Sequence, residues 1–380
     1  MQARFASLFG RDPQFSLVVP GRTELGGNHT DHQHGPVLAA PVRTFMYASA
    51  AENGTDAIRI ASEGFEPFEA DLSDLSPKAE EQGTSVSLVK GVASAFAQKE
   101  LRGFDACIRS DIPVGSGLSS SAAFEILLAK LCCCFSGVTL PAEELAKIAQ
   151  RAENEYFSKP CGLMDQIACA SEGPVFIDLK DPSSPVIHPV PLDPEKHGYA
   201  LFLVRCGTGH EDLTDQYGAI PREMEDVAHY FGKGVLREVP EEQFYDEIPS
   251  LRRACGDRAV LRAVHFFEEV RRVFAMKDAM ERDDFKTFLS LVRESGRSSR
   301  ELLQNVIPEG SSFCQDMAVA LAFAEKALEG TGAVRVHGGG FGCTIQAYVP
   351  FEKQNRFKTQ MEALFGSGSC IDTKILSAEV

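Results

Sequence analysis

The stretch PVGSGLSSSAA, residues 113–123, joins a strand-like run at residues 104–110 to a helix that is predicted to begin near Ser120. Its two glycines allow the backbone to approach a bulky anion, and the first turn of the helix directs unpaired amides towards that anion. The serine hydroxyls add further donors or a metal ligand. A capped helix after a flexible turn explains one glycine and one serine, but it explains the whole set less well. No Gly-Lys-Ser/Thr follows, so the stretch favours a phosphate-binding loop that differs from the Walker loop.

The composition limits the possible partners of the chain. With 380 residues it is long enough for two domains, and its hydrophobic content of 44% is sufficient for a sizeable core. Its 38 basic and 54 acidic residues give a formal net charge of −16. Nucleic acid and an anionic membrane are therefore disfavoured as partners. A phosphate would have to be bound by local devices such as helix N-termini, backbone amides and a metal ion.

Neither a signal peptide nor a membrane span is predicted. The first residues, MQARFASLFG, lack a long apolar run, and no later segment approaches the roughly 18 apolar residues that a span needs. The eleven cysteines include no C-x-x-C pair, which indicates reduced thiols instead of a zinc site or a disulfide framework. A cytoplasmic protein is expected.

The apolar pattern predicts an α+β fold, because strands and helices are mixed without the strict alternation of a doubly wound parallel sheet. Strands are expected at residues 15–19, 42–50, 57–61, 104–110, 174–179, 199–206, 334–337, 343–349 and 370–376. Helices are expected at residues 85–99, 120–135, 141–157, 162–171, 221–231, 257–276, 283–294 and 312–329, and in a segment that ends near residue 364. A proline-rich segment before Tyr199 marks the domain boundary, which gives domains of residues 1–190 and 191–380.

A second polar stretch, GRTELGGNHTDHQHG at residues 21–35, contains three histidines, an Arg, a Glu, an Asn and an Asp between glycines. So many hydrogen-bonding groups suit a metal site, a sugar site or a solvated turn. The histidines have no cysteine nearby, which makes a metal site the weakest of the three interpretations.

Two carboxylates flank a Pro-Cys-Gly turn in ENEYFSKPCGLMDQ, residues 153–166. Glu153 lies at the end of one predicted helix and Asp165 at the start of the next. One of them could hold Mg²⁺ while the other faces a substrate hydroxyl. Alternatively, Asp165 is a first-turn helix acid and Glu153 a surface residue.

A glycine-rich turn, HGGGFG at residues 337–342, joins two predicted strands near the carboxyl end. Glycine runs between strands are typical of hairpins with positive φ angles, so this turn has no functional meaning on its own.

Four segments in order, PGRTELGGNHTDHQHG, PVGSGLSSSAA, CGLMDQ and VHGGGFGCTI, resemble the galactokinase branch of the GHMP kinases. The resemblance extends from Pro20 to about Val349. It implies an N-terminal domain like the second domain of ribosomal protein S5 and a ferredoxin-like C-terminal domain, with ATP and a sugar in the cleft between them.

The resemblance also implies roles for individual residues. Arg22 and Asp165 match the catalytic Arg and Asp, and Ser121 and Glu153 match the Mg²⁺ ligands. The phosphate loop corresponds to Gly115, Ser116, Gly117, Leu118, Ser119, Ser120 and Ser121, with Gly339 and Gly340 in the second glycine-rich turn. The sugar-binding positions correspond to Asn28, His29, Asp31, Gly162 and Tyr217.

The implied reaction transfers the γ-phosphoryl group of ATP, with Mg²⁺, to the anomeric C1 hydroxyl of galactose, and the implied enzyme is a monomer. The histidine-rich stretch would then grip sugar hydroxyls. Asp31 can accept from two vicinal hydroxyls and His29 can share another, which penalises the wrong epimer by leaving buried groups unsatisfied.

The sequence departs from the galactokinase pattern at the sugar-binding stretch. Typical members read GRVNLIGEHTDYNQG, whereas this chain has Glu24 for the Asn and Asn28 for the Glu that faces the C6 hydroxyl. The neutral amide removes a charge that would repel a C6 carboxylate, so galacturonate or another galactose-like sugar is an alternative substrate. A non-catalytic sugar-sensing homologue is a further alternative, against which the presence of Arg22, Glu153 and Asp165 argues.

Overall fold

The computed structural model describes residues 1–113, 117–207, 213–341 and 344–377. Mixed helices and strands confirm the α+β class. The chain divides into two compact units. Unit 1 comprises Met1–Arg22, Pro41–Val114 and Leu118–Glu172, and unit 2 comprises Thr23–Ala40, Gly115–Gly117 and Gly173–Val380. The last change from unit 1 to unit 2 falls after Glu172, whereas the sequence predicts one domain boundary near residue 190. The histidine-rich stretch belongs mainly to unit 2.

The strands of unit 1 form a mixed sheet. They are β1 (Phe15–Gly26), β2 (Pro36–Glu52), β3 (Ala57–Ser62), β4 (Phe68–Asp71) and β5 (Phe104–Ser110), of which β1 and β2 continue into unit 2. The order within the unit is β4-β3-β5-β2, and β1 pairs with β2. β3 and β5 run parallel, whereas β4 is antiparallel to β3 and β2 is antiparallel to β5.

Helices account for the rest of the regular structure in unit 1. They are α1 (Gln2–Phe9), α2 (Ser85–Ser94), α3 (Ser120–Ser136), α4 (Ala142–Arg151) and α5 (Met164–Ala170). α3 begins at Ser120, as predicted, and buries an apolar face that includes Ile126 and Leu127. The helix predicted at residues 141–157 changes after Arg151 into a wider π-helical turn, Ala152–Phe157.

Unit 2 contains an antiparallel sheet and a short strand pair. Its strands are β6 (Val175–Asp178), β7 (Val186–Pro189), β8 (Tyr199–Arg205), β9 (Ala333–His337), β10 (Thr344–Pro350) and β11 (Cys370–Thr373). The antiparallel sheet has the order β11-β8-β10-β9. β6 pairs with β7 and with the first residues of β2. β7 lies in the proline-rich segment that was expected to be a connection.

The helices of unit 2 are α6 (Thr214–Tyr230), α7 (Glu241–Asp246), α8 (Ile248–Ala254), α9 (Asp257–Glu281), α10 (Phe285–Ser298), α11 (Asp316–Leu328) and α12 (Gln354–Phe365). α6 begins seven residues before the predicted start at Pro221, which lies inside the helix. Burial of Ile220, Met224 and Val227 in one apolar cluster stabilises the helix despite the proline.

One core of unit 2 lies where α11 and α12 pack on the antiparallel sheet. Phe202, Ile345 and Ala347 from the strands meet Leu321 and Phe357 from the helices. Within the described part of the chain, no helix combines the length and the apolar character that crossing a bilayer requires.

Candidate functional site

Asp165 is held by an arginine and a serine from other segments of unit 1. Arg22 lies on β1, and Asp165 lies in the first turn of α5. Arg22 Nε donates to Asp165 Oδ1 at 2.7 Å and Arg22 Nη2 donates to Oδ2 at 2.6 Å, so two parallel bonds join the guanidinium to the carboxylate. Ser119 Oγ also donates to Oδ2. The two residues predicted to be catalytic are therefore in direct contact, and Ser119 of the predicted phosphate loop joins them.

The surroundings of Asp165 keep its carboxyl group ionised. Burial acts to raise its pKa, but the charge of Arg22 and the hydrogen bonds from Arg22 and Ser119 outweigh burial, so the pKa lies below its usual value. The side chain of Asp165 is 31% exposed, whereas that of Arg22 is only 7% exposed. The accessible carboxylate of Asp165 is thus paired with the buried guanidinium of Arg22.

Ser119 has a backbone conformation that few non-glycine residues adopt. Its φ of 55° lies in the left-handed region, immediately before the first residue of α3. Because its hydroxyl is bonded to Asp165, the Ser119 side chain does not cap α3. The amides of that first turn can therefore meet an anion. Backbone strain of this kind is concentrated at functional sites.

Four further residues of the predicted phosphate loop lie at or just before the start of α3. Leu118 is buried, and its carbonyl oxygen accepts from Arg22 N at 3.1 Å. Ser120 and Ser121 are partly buried in the first turn of α3, and Gly117 belongs to unit 2. Gly115 and Ser116 lie outside the described residues.

Ser121 and Glu153, the predicted magnesium ligands, lie together in unit 1. Ser121 Oγ is 3.5 Å from Glu153 Oε1, and Lys159 Nζ donates to the same oxygen at 2.7 Å. The Glu153 side chain is 4% exposed, whereas that of Lys159 is 59% exposed. Hydroxyl and carboxylate oxygens are ligands that Mg²⁺ takes in proteins. Ser121 and Glu153 could therefore hold a magnesium ion, whose positive charge would compensate the buried carboxylate as the Lys159 ammonium does here.

A second buried carboxyl group, that of Glu125, accompanies Glu153. Gln166 Nε2 donates to Glu153 Oε2 at 2.9 Å and to Glu125 Oε2 at 3.3 Å, so one amide bridges both groups. Burial and, next, the negative charge of Glu153 raise the pKa of Glu125 to about 9, which keeps it protonated at neutral pH. Glu125 was missed from the sequence, although a glutamate within the apolar run AAFEILLA of α3 signals a buried carboxyl group.

The histidine-rich turn, residues 27–34, follows β1 and belongs to unit 2. β1 continues to Gly26, past the predicted end at residue 19, because Thr23 and Glu24 are buried with polar partners. Gly27 N donates to Glu269 Oε1 at 3.1 Å, and Thr30 Oγ1 donates to the carbonyl of Pro36 at 2.7 Å. These bonds fix both ends of the turn.

The side chain of Asn28, in the histidine-rich turn, is buried. It is only 1% exposed, although the sequence predicts a sugar contact at this position. Its Nδ2 donates to the carbonyl of Gly338 at 2.7 Å and lies 3.3 Å from both carboxylate oxygens of Glu24. Glu24 also forms a buried ion pair with Arg335. The Asn28 side chain thus anchors the turn to the carbonyl of Gly338 and to the carboxylate of Glu24.

His29 and Asp31 are more accessible than Asn28. His29 Nε2 lies 3.0 Å from the carbonyl oxygen of Gly339. Burial and, next, the nearby His32 lower the pKa of His29 to about 4, so the ring is neutral at pH 7. Since a carbonyl only accepts, Nε2 carries the proton and Nδ1 is an acceptor. Asp31 begins a short 3₁₀ turn, and its side chain is 12% exposed.

A metal site among the histidines is the interpretation that the geometry does not support. His29 and His32 have ring centroids 6.1 Å apart. Over the described ranges, no group of three or more His, Cys, Asp or Glu side chains is arranged to hold a metal ion.

The glycine turn, residues 338–340, packs against Tyr217 of α6. Tyr217 OH donates to the carbonyl of Gly340 at 2.9 Å. A Cβ on Gly339 would lie 2.5 Å from Tyr217 Cε1, and a Cβ on Gly340, whose φ is +90°, would collide with the carbonyl oxygen of Asn305. Close packing therefore requires glycine at both positions.

The predicted site residues are distributed over both units. Unit 1 contains Arg22, Leu118, Ser119, Ser120, Ser121, Glu153, Gly162 and Asp165, and unit 2 contains Gly117, Asn28, His29, Asp31, Tyr217, Gly339 and Gly340. Gly162 is half-buried in the turn before α5. Sequence reasoning missed the supporting residues Glu24, Glu125, Gln166, Glu269, Asn305 and Arg335.

Two family descriptions match the chain. Residues 87–173, which include the serine-rich start of α3, match the GHMP kinases N terminal domain. Residues 3–52, which include the histidine-rich turn, match the galactokinase galactose-binding signature.

Curated relatives are similar over most of their length. The galactokinase of Glaesserella parasuis is 32% identical over 356 residues, which cover 93% of this chain and 89% of that protein. The human galactokinase is 33% identical over 353 residues, which cover 90% and 85% respectively.

Solved structures share the fold. The Lactococcus lactis galactokinase complexed with galactose superposes with a TM-score of 0.83 at 23% identity, covering 100% of this chain and 98% of that one. The mevalonate kinase of Methanococcus jannaschii superposes with a TM-score of 0.67 at 14% identity, covering 96% and 98%. The predicted two-domain GHMP kinase fold is therefore confirmed.

Proposed function

The chain belongs to the galactokinase family of the GHMP kinases, and from this premise we propose that it transfers the γ-phosphoryl group of ATP to the C1 hydroxyl of galactose. The observation that carries the proposal is the ionised, partly exposed carboxylate of Asp165, which Arg22 and Ser119 hold in place. A kinase needs such a group beside the hydroxyl that attacks the phosphoryl group.

Asp165 would orient the C1 hydroxyl and accept its proton. The depressed pKa of Asp165 makes it a weak base, so proton uptake would come late, after the bond to phosphorus has largely formed. Arg22 holds the carboxylate by two bonds and places a positive charge beside it. Alignment and charge neutralisation then account for most of the rate enhancement, because phosphoryl transfer has a largely dissociative transition state.

The phosphates would bind at the N-terminus of α3. The amides of its first turn offer donors to an anion, and this local device does not depend on the acidic net charge of the chain. Ser121 and Glu153 would hold Mg²⁺, which neutralises phosphate charge when it is bound. Gln166 fixes the second oxygen of Glu153.

Asp31 and His29 would bind the sugar hydroxyls. Asp31 accepts, and His29 offers Nδ1 as an acceptor while Nε2 is bonded to Gly339. The neutral Asn28 is buried, and its neighbour Glu24 is paired with the buried Arg335. Neither residue therefore presents an uncompensated charge to the C6 substituent, and the preference for galactose rests on the galactokinases that the chain resembles. We assign the enzyme to the cytoplasm and expect it to act as a monomer.

A panel of sugars tests the proposed specificity. Galactose, galacturonate, N-acetylgalactosamine and arabinose are offered to the purified chain with ATP and Mg²⁺, and ADP release is measured in a coupled assay. We expect the highest kcat/KM with galactose, as the similarity to galactokinases implies, and a value at least about tenfold lower with galacturonate, which corresponds to about 1.4 kcal/mol.

Equal or faster turnover of galacturonate would instead make the chain a galacturonate kinase. If ADP release is independent of every sugar while the protein is folded, the chain is a non-catalytic homologue and the proposal is wrong. The order of the sugars and the existence of turnover are thus separate outcomes of one assay.

A further inference from the structure

Every carbonyl oxygen of the glycine turn, residues 338–340, accepts a hydrogen bond from a side chain of unit 2. The donors are Asn28 Nδ2 to Gly338 at 2.7 Å, His29 Nε2 to Gly339 at 3.0 Å, Asn305 Nδ2 to Gly339 at 3.2 Å and Tyr217 OH to Gly340 at 2.9 Å. Two of these donors, Asn28 and His29, belong to the histidine-rich turn. The two turns are therefore joined directly by hydrogen bonds.

Asn305 lies at the junction of the two turns. Its Nδ2 donates to Asn28 Oδ1 at 2.8 Å as well as to the carbonyl of Gly339. The backbone carbonyl oxygen of Asn305 accepts from Phe341 N at 2.6 Å. The side chain is fully buried, so water does not compete for these bonds. The side-chain amide of Asn305 thus contacts Asn28 of the histidine-rich turn and Gly339 of the glycine turn, and its backbone carbonyl holds the residue after the glycine turn.

The orientation of both amides follows from their neighbours. Glu24 and the carbonyl of Gly338 can only accept, so the nitrogen of Asn28 faces them and its oxygen faces Asn305. The nitrogen of Asn305 then faces two acceptors, Asn28 Oδ1 and the carbonyl of Gly339. A flip of either amide would place oxygen against oxygen, so the neighbours fix the orientation of both amides, and Asn305 Oδ1 is left without a hydrogen-bond partner among the described residues.

His29 gives this link a way to respond to a ligand. With its proton on Nε2, the ring donates to Gly339 and accepts through Nδ1. A sugar hydroxyl that donates to Nδ1 would polarise the ring and strengthen the bond from Nε2 to the glycine turn. A ligand on one turn thereby stabilises the conformation of the other.

We propose that Asn305 is a positioning residue that couples the histidine-rich turn to the glycine turn, so that a bound sugar increases the affinity for nucleotide. The proposal rests on the proposed function, in which the sugar binds at His29 and Asp31 and the phosphates bind at the phosphate loop and the start of α3. Gly117 of that loop packs against His337, the residue before the glycine turn, because a Cβ on Gly117 would lie only 2.9 Å from His337 Nδ1. Asn305 contacts neither ligand in this account. It keeps the two turns in one mutual arrangement, and the coupling depends on the hydrogen bonds that its amide makes to both turns.

Ligand binding by the Asn305→Leu variant tests the proposal. Leucine has a similar size but no donors. Each acceptor that loses the bond from Asn305 Nδ2 keeps another donor, which is Ser299 Oγ at 3.3 Å for Asn28 Oδ1 and His29 Nε2 for the carbonyl of Gly339. Calorimetry measures the Kd of a non-hydrolysable ATP analogue with Mg²⁺, with and without saturating galactose. In the wild type we expect galactose to lower this Kd by about fivefold or more, and in the variant by a factor near one.

Reciprocity and a matched control separate coupling from a general loss of stability. By linkage, the analogue must lower the Kd of galactose by the same factor. Tyr199→Phe is the control, because Tyr199 OH also donates to a backbone carbonyl, that of Thr331, at 2.9 Å. It should keep the wild-type factor. Equal factors in the wild type and in Asn305→Leu, or a factor of one in the wild type, would overturn the proposal.

A second variant covers the case in which Asn305→Leu does not fold. Tyr217→Phe removes the hydroxyl that holds Gly340, and we expect it to reduce the coupling factor, whereas an unchanged factor contradicts the proposal. Turnover by the wild type is measured separately. If the wild type binds both ligands with coupling but releases no ADP, the proposed function fails and the coupling stands.

Discussion

Replacing Asp165 by Asn is expected to lower kcat with galactose by about 10³-fold, which lies within the range for removal of a catalytic proton acceptor. Asparagine keeps the shape of the side chain and one acceptor for Arg22, but it has no negative charge and cannot take the proton of the sugar hydroxyl. Coupled detection of ADP measures the loss. Binding of a non-hydrolysable ATP analogue should stay close to that of the wild type, because the phosphates are assigned to the first turn of α3.

Asp178→Asn is the matched control for this variant. The two carboxylate oxygens of Asp178 accept from Arg237 Nη2 at 3.0 and 3.3 Å. The side chains of Asp178 and Arg237 are 19% and 18% exposed, compared with 31% for Asp165 and 7% for Arg22. Asp178 has no role in the proposed site, so kcat should change little. Wild-type turnover by Asp165→Asn would remove Asp165 from the mechanism, and a comparable loss in both variants would attribute the effect to folding.

Replacing Glu24 by Asn is expected to lower the free energy of unfolding by about 3–5 kcal/mol, the usual cost of breaking a buried ion pair on one side. Arg335 is fully buried, and two of its nitrogens, Nε and Nη1, already have no hydrogen-bond partner among the described residues. Loss of the Glu24 carboxylate leaves this guanidinium uncompensated. Urea unfolding followed by circular dichroism measures the change.

The single variant Asn28→Glu should also be destabilised, because its carboxylate would face that of Glu24, which lies 3.3 Å from Asn28 Nδ2. The double variant Glu24→Asn/Asn28→Glu reproduces the order that typical galactokinases show. It restores one amide and one carboxylate to the buried cluster, so we expect it to be more stable than the sum of the single changes predicts, by about 1–3 kcal/mol.

Glu325→Gln serves as the control for the ion pair. Glu325 pairs with Arg300 at 2.7 Å on the surface, with side chains 49% and 40% exposed, so the change should cost less than about 1 kcal/mol. If the free energies of unfolding lost in Glu24→Asn and Asn28→Glu simply add up in the double variant, Glu24 and Asn28 do not exchange roles in this chain.

The sequence predicts the parts of the site that depend on local patterns. A run of glycines and serines before an apolar helix identifies the start of α3, since few other structures need those residues together. The carboxylate of Asp165 at the start of a helix is predicted in the same way. The order of four such segments was sufficient to identify the family.

The supporting residues depend on contacts between distant positions, which a single sequence does not reveal. Glu24 and Arg335 are 311 residues apart in the chain, and Asn28 and Asn305 are 277 apart. Polar residues on β1 suggested an exposed loop, whereas their partners allow them to be buried in a strand. α6 began earlier than predicted for a related reason, because its buried apolar face outweighs the effect of Pro221 on the helix.

The central claim is that the Asp165 cluster serves phosphoryl transfer to a sugar. Phosphorus NMR of a reaction of the wild-type chain with ATP, Mg²⁺ and galactose tests it most directly. The account predicts a phosphomonoester signal that couples to the anomeric proton of galactose and grows as ATP is consumed. It would be contradicted by a phosphate on another hydroxyl of galactose, or by a folded protein that leaves both galactose and ATP unchanged.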